Sequence, residues 1–184
     1  DIFGSRGLGD VYKRQEYSGG GFAVCQLIIE EVSGQKFEDF MQTEILDPLG
    51  MTNSSFKIDD KIRAASATPY DNFGEPTDFG LYTIQSAAGL HATLEDFIRF
   101  AFASLPEHKD HLKYNTVLPT ETVQQMIEPA PNTTVRAWKY GLGYQSVHLK
   151  TGEVFIGHSG SNTGWQASFR IERTFHLHLL PQFL

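Results

Sequence analysis

Apolar residues recur at helical spacing in four stretches of the chain and alternate with polar residues in a fifth. Phe22, Cys25, Ile28, Ile29 and Val32 follow the three-to-four-residue step of a single helix face. Gly34, just past the last of them, is a natural stop. The spacing predicts a buried helix, with Cys25 as a small hydrophobe on its apolar face. Phe37, Phe40, Met41, Ile45 and Leu46 predict a second helix, ended by Pro48. Leu94, Phe97, Ile98, Ala101, Phe102 and Leu105 predict a third, opened by Thr93 as N-cap and stopped before Pro106. A short fourth helix is expected from Thr120 to Glu128, with Val123, Met126 and Ile127 inward. The segment from Lys57 to Ser86, rich in Asp, Gly, Pro and aromatics, reads as a long loop, either a solvated connector or one wall of a cleft. In the last quarter, Trp165, Ala167, Phe169 and Ile171 alternate with Gln166, Ser168 and Arg170, the two-residue period of a strand with one buried face. Lys150-Thr151-Gly152, between Val147 and Val154, reads as the tip of a hairpin. The expected fold class is α/β in the α+β sense, a helical part followed by part of an antiparallel sheet.

Composition narrows the function classes. With 184 residues and 40% hydrophobic content there is material for one sizeable core. Fifteen Lys plus Arg against 22 Asp plus Glu give a net charge of −7 with no basic run, which speaks against a nucleic-acid partner because phosphate neutralisation needs clustered cations. A single cysteine forbids an internal disulfide, and no stretch approaches the ~18 apolar residues of a membrane span. His108 and His111, and His176 and His178, are close in sequence, but zinc needs three or four ligands, so no metal and no cofactor is expected.

The candidate chemistry lies in Gly157-His158-Ser159-Gly160-Ser161-Asn162-Thr163-Gly164. Three glycines in eight positions let a ligand approach the backbone, and open N–H groups beside a histidine suit a developing oxyanion. The same glycines also suit a plain hairpin end. The context is the loop Tyr17-Ser18-Gly19, the segment Asp47-Pro48-Leu49-Gly50-Met51, then Ala87-Ala88-Gly89-Leu90-His91-Ala92-Thr93 and Tyr140-Gly141-Leu142-Gly143. With these in order from about Tyr17 to Ile171, the chain resembles the β-lactamase-related serine hydrolases, which include class C β-lactamases, D-alanyl-D-alanine carboxypeptidases and many esterases. The resemblance implies a β-lactamase/transpeptidase-like fold and acyl transfer on the ester, amide or β-lactam carbonyl of a small or peptide-like molecule. It makes Tyr17 the second-box tyrosine and His158-Ser159-Gly160 the third box. Tyr17 would relay a proton as a hydrogen-bonded phenol, and His158 would tune that network. The Ser161 backbone N–H would join the nucleophile's own N–H as oxyanion hole. The family's setting favours the bacterial periplasm or secretion.

Two departures qualify this. Gly19 stands where the family commonly has the Asn of Y-x-N, so an amide that would serve a lactam or peptide is absent, and an ester-like substrate is expected. The family's nucleophile box, S-x-x-K, precedes the tyrosine loop, and none of the sixteen residues before Tyr17 spells it. Ser33-Gly34-Gln35-Lys36 and Ser54-Ser55-Phe56-Lys57 match its letters but follow the loop, and Lys150-Thr151-Gly152 spells a third box at a hairpin tip, where the strand after Gly164 matches the family better. These three are expected to be decoys, leaving no nucleophile in this sequence. Asp1 to Gln15 has no periodicity and no resemblance to the family, and Arg173 to Leu184 leaves the pattern. The expected organisation is a foreign-looking lead over 1–15, a partial domain over 16–172 and an off-pattern tail over 173–184. The alternative function is a non-catalytic binding or scaffold protein that keeps the fold.

Overall fold

The computed structural model describes residues 18–80, 82–106, 117–128, 134–135, 138–173 and 177–178. The described residues divide into two compact units, one within 18–119 and 160–167 and one within 120–159 and 168–178.

The first unit is helical. Helix α1 spans Gly19–Ser33, with the Ser18 hydroxyl accepting from the Gly21 N–H at its start. It ends at Gly34, whose φ of 68° is the left-handed conformation that favours glycine at a helix end. The predicted buried face is not buried. Of its residues Phe22, Cys25 and Ile28 are exposed and Val32 is 83% exposed, and only Ile29 is half-buried. The half-buried face is instead Ala23, Gln26, Ile29, Glu30 and Ser33. Polar bonds hold it: the Gln26 side chain accepts from the Ser86 N–H at 3.2 Å, and the Ser86 hydroxyl donates to the Phe22 carbonyl at 2.7 Å. Helical spacing locates an apolar stripe, whereas these polar partners decide which stripe turns inward.

Helix α2 covers Phe37–Met41 and widens into a π-helical segment over Gln42–Leu46. The predicted second helix is thus one run with a change of pitch. Glu30 accepts from the Phe37 N–H at its start. Phe37, Leu46, Leu49, Met51 and Phe56 make the core of this unit, with Ile29, Met41, Ile45, Phe100, Ala103 and Val117 packed around them. Phe37 and Phe56 meet edge to face at 5.2 Å.

The segment read as a long loop contains helix α3, Asp60–Ala65, capped by Asp59, and leads into helix α4, Gln85–Ala88. Helix α5, Leu94–Ala103, has the predicted Thr93 cap, its hydroxyl accepting from the Asp96 N–H. In that first turn Asp96 is fully buried, its carboxylate accepting from the Asn53 N–H at 2.7 Å and the Ser54 hydroxyl at 2.9 Å and pairing with Arg99 at 2.6 Å.

The other unit holds helix α6, Thr120–Ile127, with Val123 and Ile127 inward as the spacing predicts. The strands are β1 (Thr134–Val135), β2 (Trp138–Tyr140), β3 (Gln145–His148), β4 (Val154–Asn162), β5 (Trp165–Glu172) and β6 (Leu177–His178), ordered β1-β2-β3-β4-β5-β6 in one sheet. β3 and β4 pair antiparallel from His148↔Val154 to Gln145↔Gly157, and Lys150-Thr151-Gly152 is the turn between them. On β5, Phe169 and Ile171 are buried as the alternation predicts, but Ala167 is exposed. The tail contributes β6, which pairs with β5 at Arg170↔His178 and Ile171↔Leu177.

Candidate active site

His158 sits on β4 where the strand has just passed the end of β3, since the β3–β4 ladder closes at Gln145↔Gly157. The imidazole is half-buried, while Ser159, Gly160 and Ser161 beyond it are exposed. A Cβ placed on Gly160 would meet nothing within 4 Å, so the backbone here lies open to an approaching group. Tyr140, on β2, sets its ring edge-on to the His158 imidazole at 6.2 Å and 76°. The Tyr140 hydroxyl accepts from Gln145 Nε2 at 2.6 Å, and Gln145 Oε1 accepts from Arg170 Nη2 at 3.0 Å. Sequence reading had Tyr140 only inside a motif and Arg170 only on a polar strand face. The signal that could have found both is that the open face of a sheet strand beside a histidine is where polar residues gather.

Burial pushes His158 below the ordinary imidazole value; a hydrogen bond that the ring donates to the Ser159 backbone opposes this and the Arg170 charge adds to it. His158 is therefore held toward its neutral form, which accepts a proton. Burial also lowers His91, whose ring stacks on Phe79 at 5.0 Å and meets Trp165 edge-on at 5.9 Å. Between the folded values and the unfolded value of 6.5, the unfolded chain binds more protons at both histidines. Their contribution to stability is complete above about pH 6.5 and is lost as pH falls through the folded values. Thermal denaturation is expected at progressively lower Tm from pH 7 to 5.5, with a smaller drop in His158→Gln. A Tm that does not fall over this range would sink the assignment.

The other sequence candidates are placed as follows. Tyr17 lies outside the described residues, as do His108, His111 and His176. The Ser33 hydroxyl donates to the Ile29 carbonyl at 2.6 Å and accepts from the Gln35 N–H at 3.1 Å, so it serves the end of α1. The Ser54 hydroxyl is 4% exposed and donates to Asp96. A serine–histidine contact not foreseen from sequence, Ser146 Oγ 3.3 Å from His148 Nε2, has the reach of a nucleophile and its base. Ser146 is 1% exposed, however, so no carbonyl reaches it. Among the described residues no group of three or more His, Cys, Asp or Glu is placed to hold a metal ion, and no helix is long and apolar enough to cross a membrane.

A helical unit followed by an antiparallel sheet, with His158 on the strand that leads into β5, defines a β-lactamase/transpeptidase-like fold. The family model described as Beta-lactamase matches residues 8–174, and the chain belongs to the beta-lactamase family. The match starts inside the lead that the sequence pattern sets apart and ends just inside the tail.

Among solved structures the chain is similar to a class C beta-lactamase, at 17% identity and TM-score 0.73 over 87% of this chain and 49% of that one. It is similar to a beta-lactamase/D-alanine carboxypeptidase from Pseudomonas syringae at 14% identity and TM-score 0.71, over 87% of this chain and 51% of that one. A D-alanine carboxypeptidase from Burkholderia cenocepacia gives 14% identity and TM-score 0.72, over 87% of this chain and 53% of that one. The chain thus spans about half the length of the solved structures it resembles. No curated protein matches it.

Proposed function

We propose that the protein belongs to a serine hydrolase that works by acyl transfer and prefers ester substrates. The observation that carries this reading is the half-buried His158, held toward neutrality, at the head of the exposed run Ser159-Gly160-Ser161. In the proposed reaction the serine of an S-x-x-K segment ahead of Tyr17 attacks the substrate carbonyl, and the lysine of that segment takes its proton. Tyr17 passes the proton on to the leaving group, and water then releases the acyl group from the serine. The Ser161 N–H steadies the tetrahedral oxyanion, an interaction whose loss typically costs ~3 kcal/mol of barrier. Ser33 and Ser54 take no part, because their hydroxyls are committed to the Ile29 carbonyl and to Asp96.

The ester preference rests on two residues. Gly19 has no amide to offer a lactam side chain, and a largely neutral His158 anchors a β-lactam carboxylate less firmly than an ammonium would. Gly19 also favours the second reading, a binding or scaffold protein, which an intact gene without S-x-x-K upstream of Tyr17 would support.

The test compares kcat/KM for p-nitrophenyl butyrate and nitrocefin in a form of the protein carrying S-x-x-K ahead of Tyr17. The 184-residue polypeptide, expected at the level of a heat-treated sample, serves as blank. The ester is expected to be the better substrate, with Gly19→Asn and His158→Lys shifting the ratio toward the lactam. A larger value for nitrocefin overturns the ester preference. Turnover by the 184-residue polypeptide that is lost in Ser33→Ala or Ser54→Ala overturns the assignment of those serines.

A further inference from the structure

We propose that Arg170 is a positioning residue for His158, acting through Gln145 and Tyr140 across four adjacent strands. The inference deepens the reading of His158 as a working residue and rests on it.

The connection begins at a missing side chain. A Cβ on Gly157 would run into the Phe169 carbonyl oxygen and stand 3.0 Å from Arg170 Nη1. Only glycine leaves the gap through which the Arg170 side chain, rooted on β5, crosses β4 to reach β3. Its Nη1 donates to the Phe169 carbonyl at 2.6 Å and its Nη2 to Gln145 Oε1 at 3.0 Å. A carboxamide has one accepting end and one donating end. With the guanidinium, which only donates, on the oxygen, the Gln145 amide must present its nitrogen to Tyr140, and it does so at 2.6 Å. The flipped amide would set donor against donor beside Arg170. The cation on β5 therefore fixes the amide on β3, the amide holds the phenol on β2, and the phenol ring stands edge-on to the His158 imidazole.

Two consequences reach His158: its ring is confined on the Tyr140 side, and a permanent positive charge nearby resists a second one on the imidazole. Burial alone also keeps the imidazole neutral, so the experiment must separate the two causes. The charged and titratable groups on the strands on either side of β4, and on β2 beyond β3, are Tyr140 and Lys139 on β2, His148 on β3, and Arg170 and Glu172 on β5. Lys139 is exposed on the face registered with Ser146, and His148 lies against Ser146. Among these, Arg170 is the cation tied into the Gln145–Tyr140 chain.

The test follows the His158 ring proton by NMR titration of the 184-residue protein, the signal being assigned by its loss in His158→Gln. Arg170→Met is expected to raise the His158 midpoint. Arg170→Lys, which keeps the charge, should restore most of that shift. Gln145→Leu, which keeps Arg170 but cuts the tie to Tyr140, should move the His158 chemical shift and tautomer balance with a smaller change in midpoint. Midpoints and tautomer unchanged in all three variants, with otherwise native spectra, overturn the proposal. If Arg170→Met fails to fold, Arg170→Lys and Gln145→Leu still decide it: an unmoved shift and tautomer in Gln145→Leu rejects the chain of contacts. The titration needs no turnover, so a responsive His158 beside a form carrying S-x-x-K that hydrolyses neither p-nitrophenyl butyrate nor nitrocefin would reject the hydrolase reading and leave this one standing.

Discussion

Tyr17→Phe, made in a form of the protein that carries S-x-x-K ahead of it, is expected to slow ester hydrolysis by roughly 10²- to 10⁴-fold with the fold intact, the usual span for a group that moves a proton in the transition state. Removing one hydroxyl leaves the ring to pack as before, so circular dichroism and Tm should be unchanged while kcat falls. A phenol of pKa about 10 is a poor base at neutral pH. The proposed relay would require a neighbour that accepts or supplies the proton, and a lysine in S-x-x-K is the expected one. His158, held toward neutrality by burial, would add no second charge to such a network. An unchanged rate would make Tyr17 a packing residue, and a lost fold would do the same.

The second large effect is on stability and falls on Asp96. This carboxylate is fully buried and accepts from the Asn53 N–H and the Ser54 hydroxyl while pairing with Arg99. Asp96→Ala strands the buried Ser54 hydroxyl, at about 1–3 kcal/mol, takes the acceptor from the part-buried Asn53 N–H, and removes the partner of a guanidinium that is 38% exposed. The expected loss is about 2–4 kcal/mol, a large part of the stability of an ordinary domain. Asp96→Asn keeps one accepting oxygen and should cost less. Urea unfolding followed by circular dichroism measures both, and a loss below ~1 kcal/mol for Asp96→Ala would show that the loop after Met51 does not depend on this residue. The same carboxylate holds the Ser54 hydroxyl, so Asp96→Ala also releases the serine of Ser54-Ser55-Phe56-Lys57.

Legibility in the sequence followed the range of the interactions. The Thr93 cap, the Gly34 stop, the hairpin turn at Lys150-Thr151-Gly152 and the inward positions of α6 each depend on neighbours within a few residues, and each stands where the pattern put it. The helix inside Lys57 to Ser86 was missed because Asp59 caps a stretch with little apolar periodicity, so its only local signal was the cap. The π-helical turn at Gln42–Leu46 was missed because the apolar residues on either side keep a helical step through the change of pitch.

The sequence by itself determined the helix-then-sheet order and the family, because these rest on local periodicity and on ordered short motifs. Tertiary structure alone decided which stripe of α1 turns inward, that Cys25 is exposed, and that Asp96 is buried beneath Asn53 and Ser54. It also decided that Arg170 reaches over Gly157 to Gln145 and so to Tyr140 beside His158. The physical reason is the same throughout: the bonds from Asp96 to Ser54, from Ser86 to Phe22 and from Arg170 to Gln145 join residues 42, 64 and 25 positions apart. Neither helical nor strand periodicity carries information over such separations.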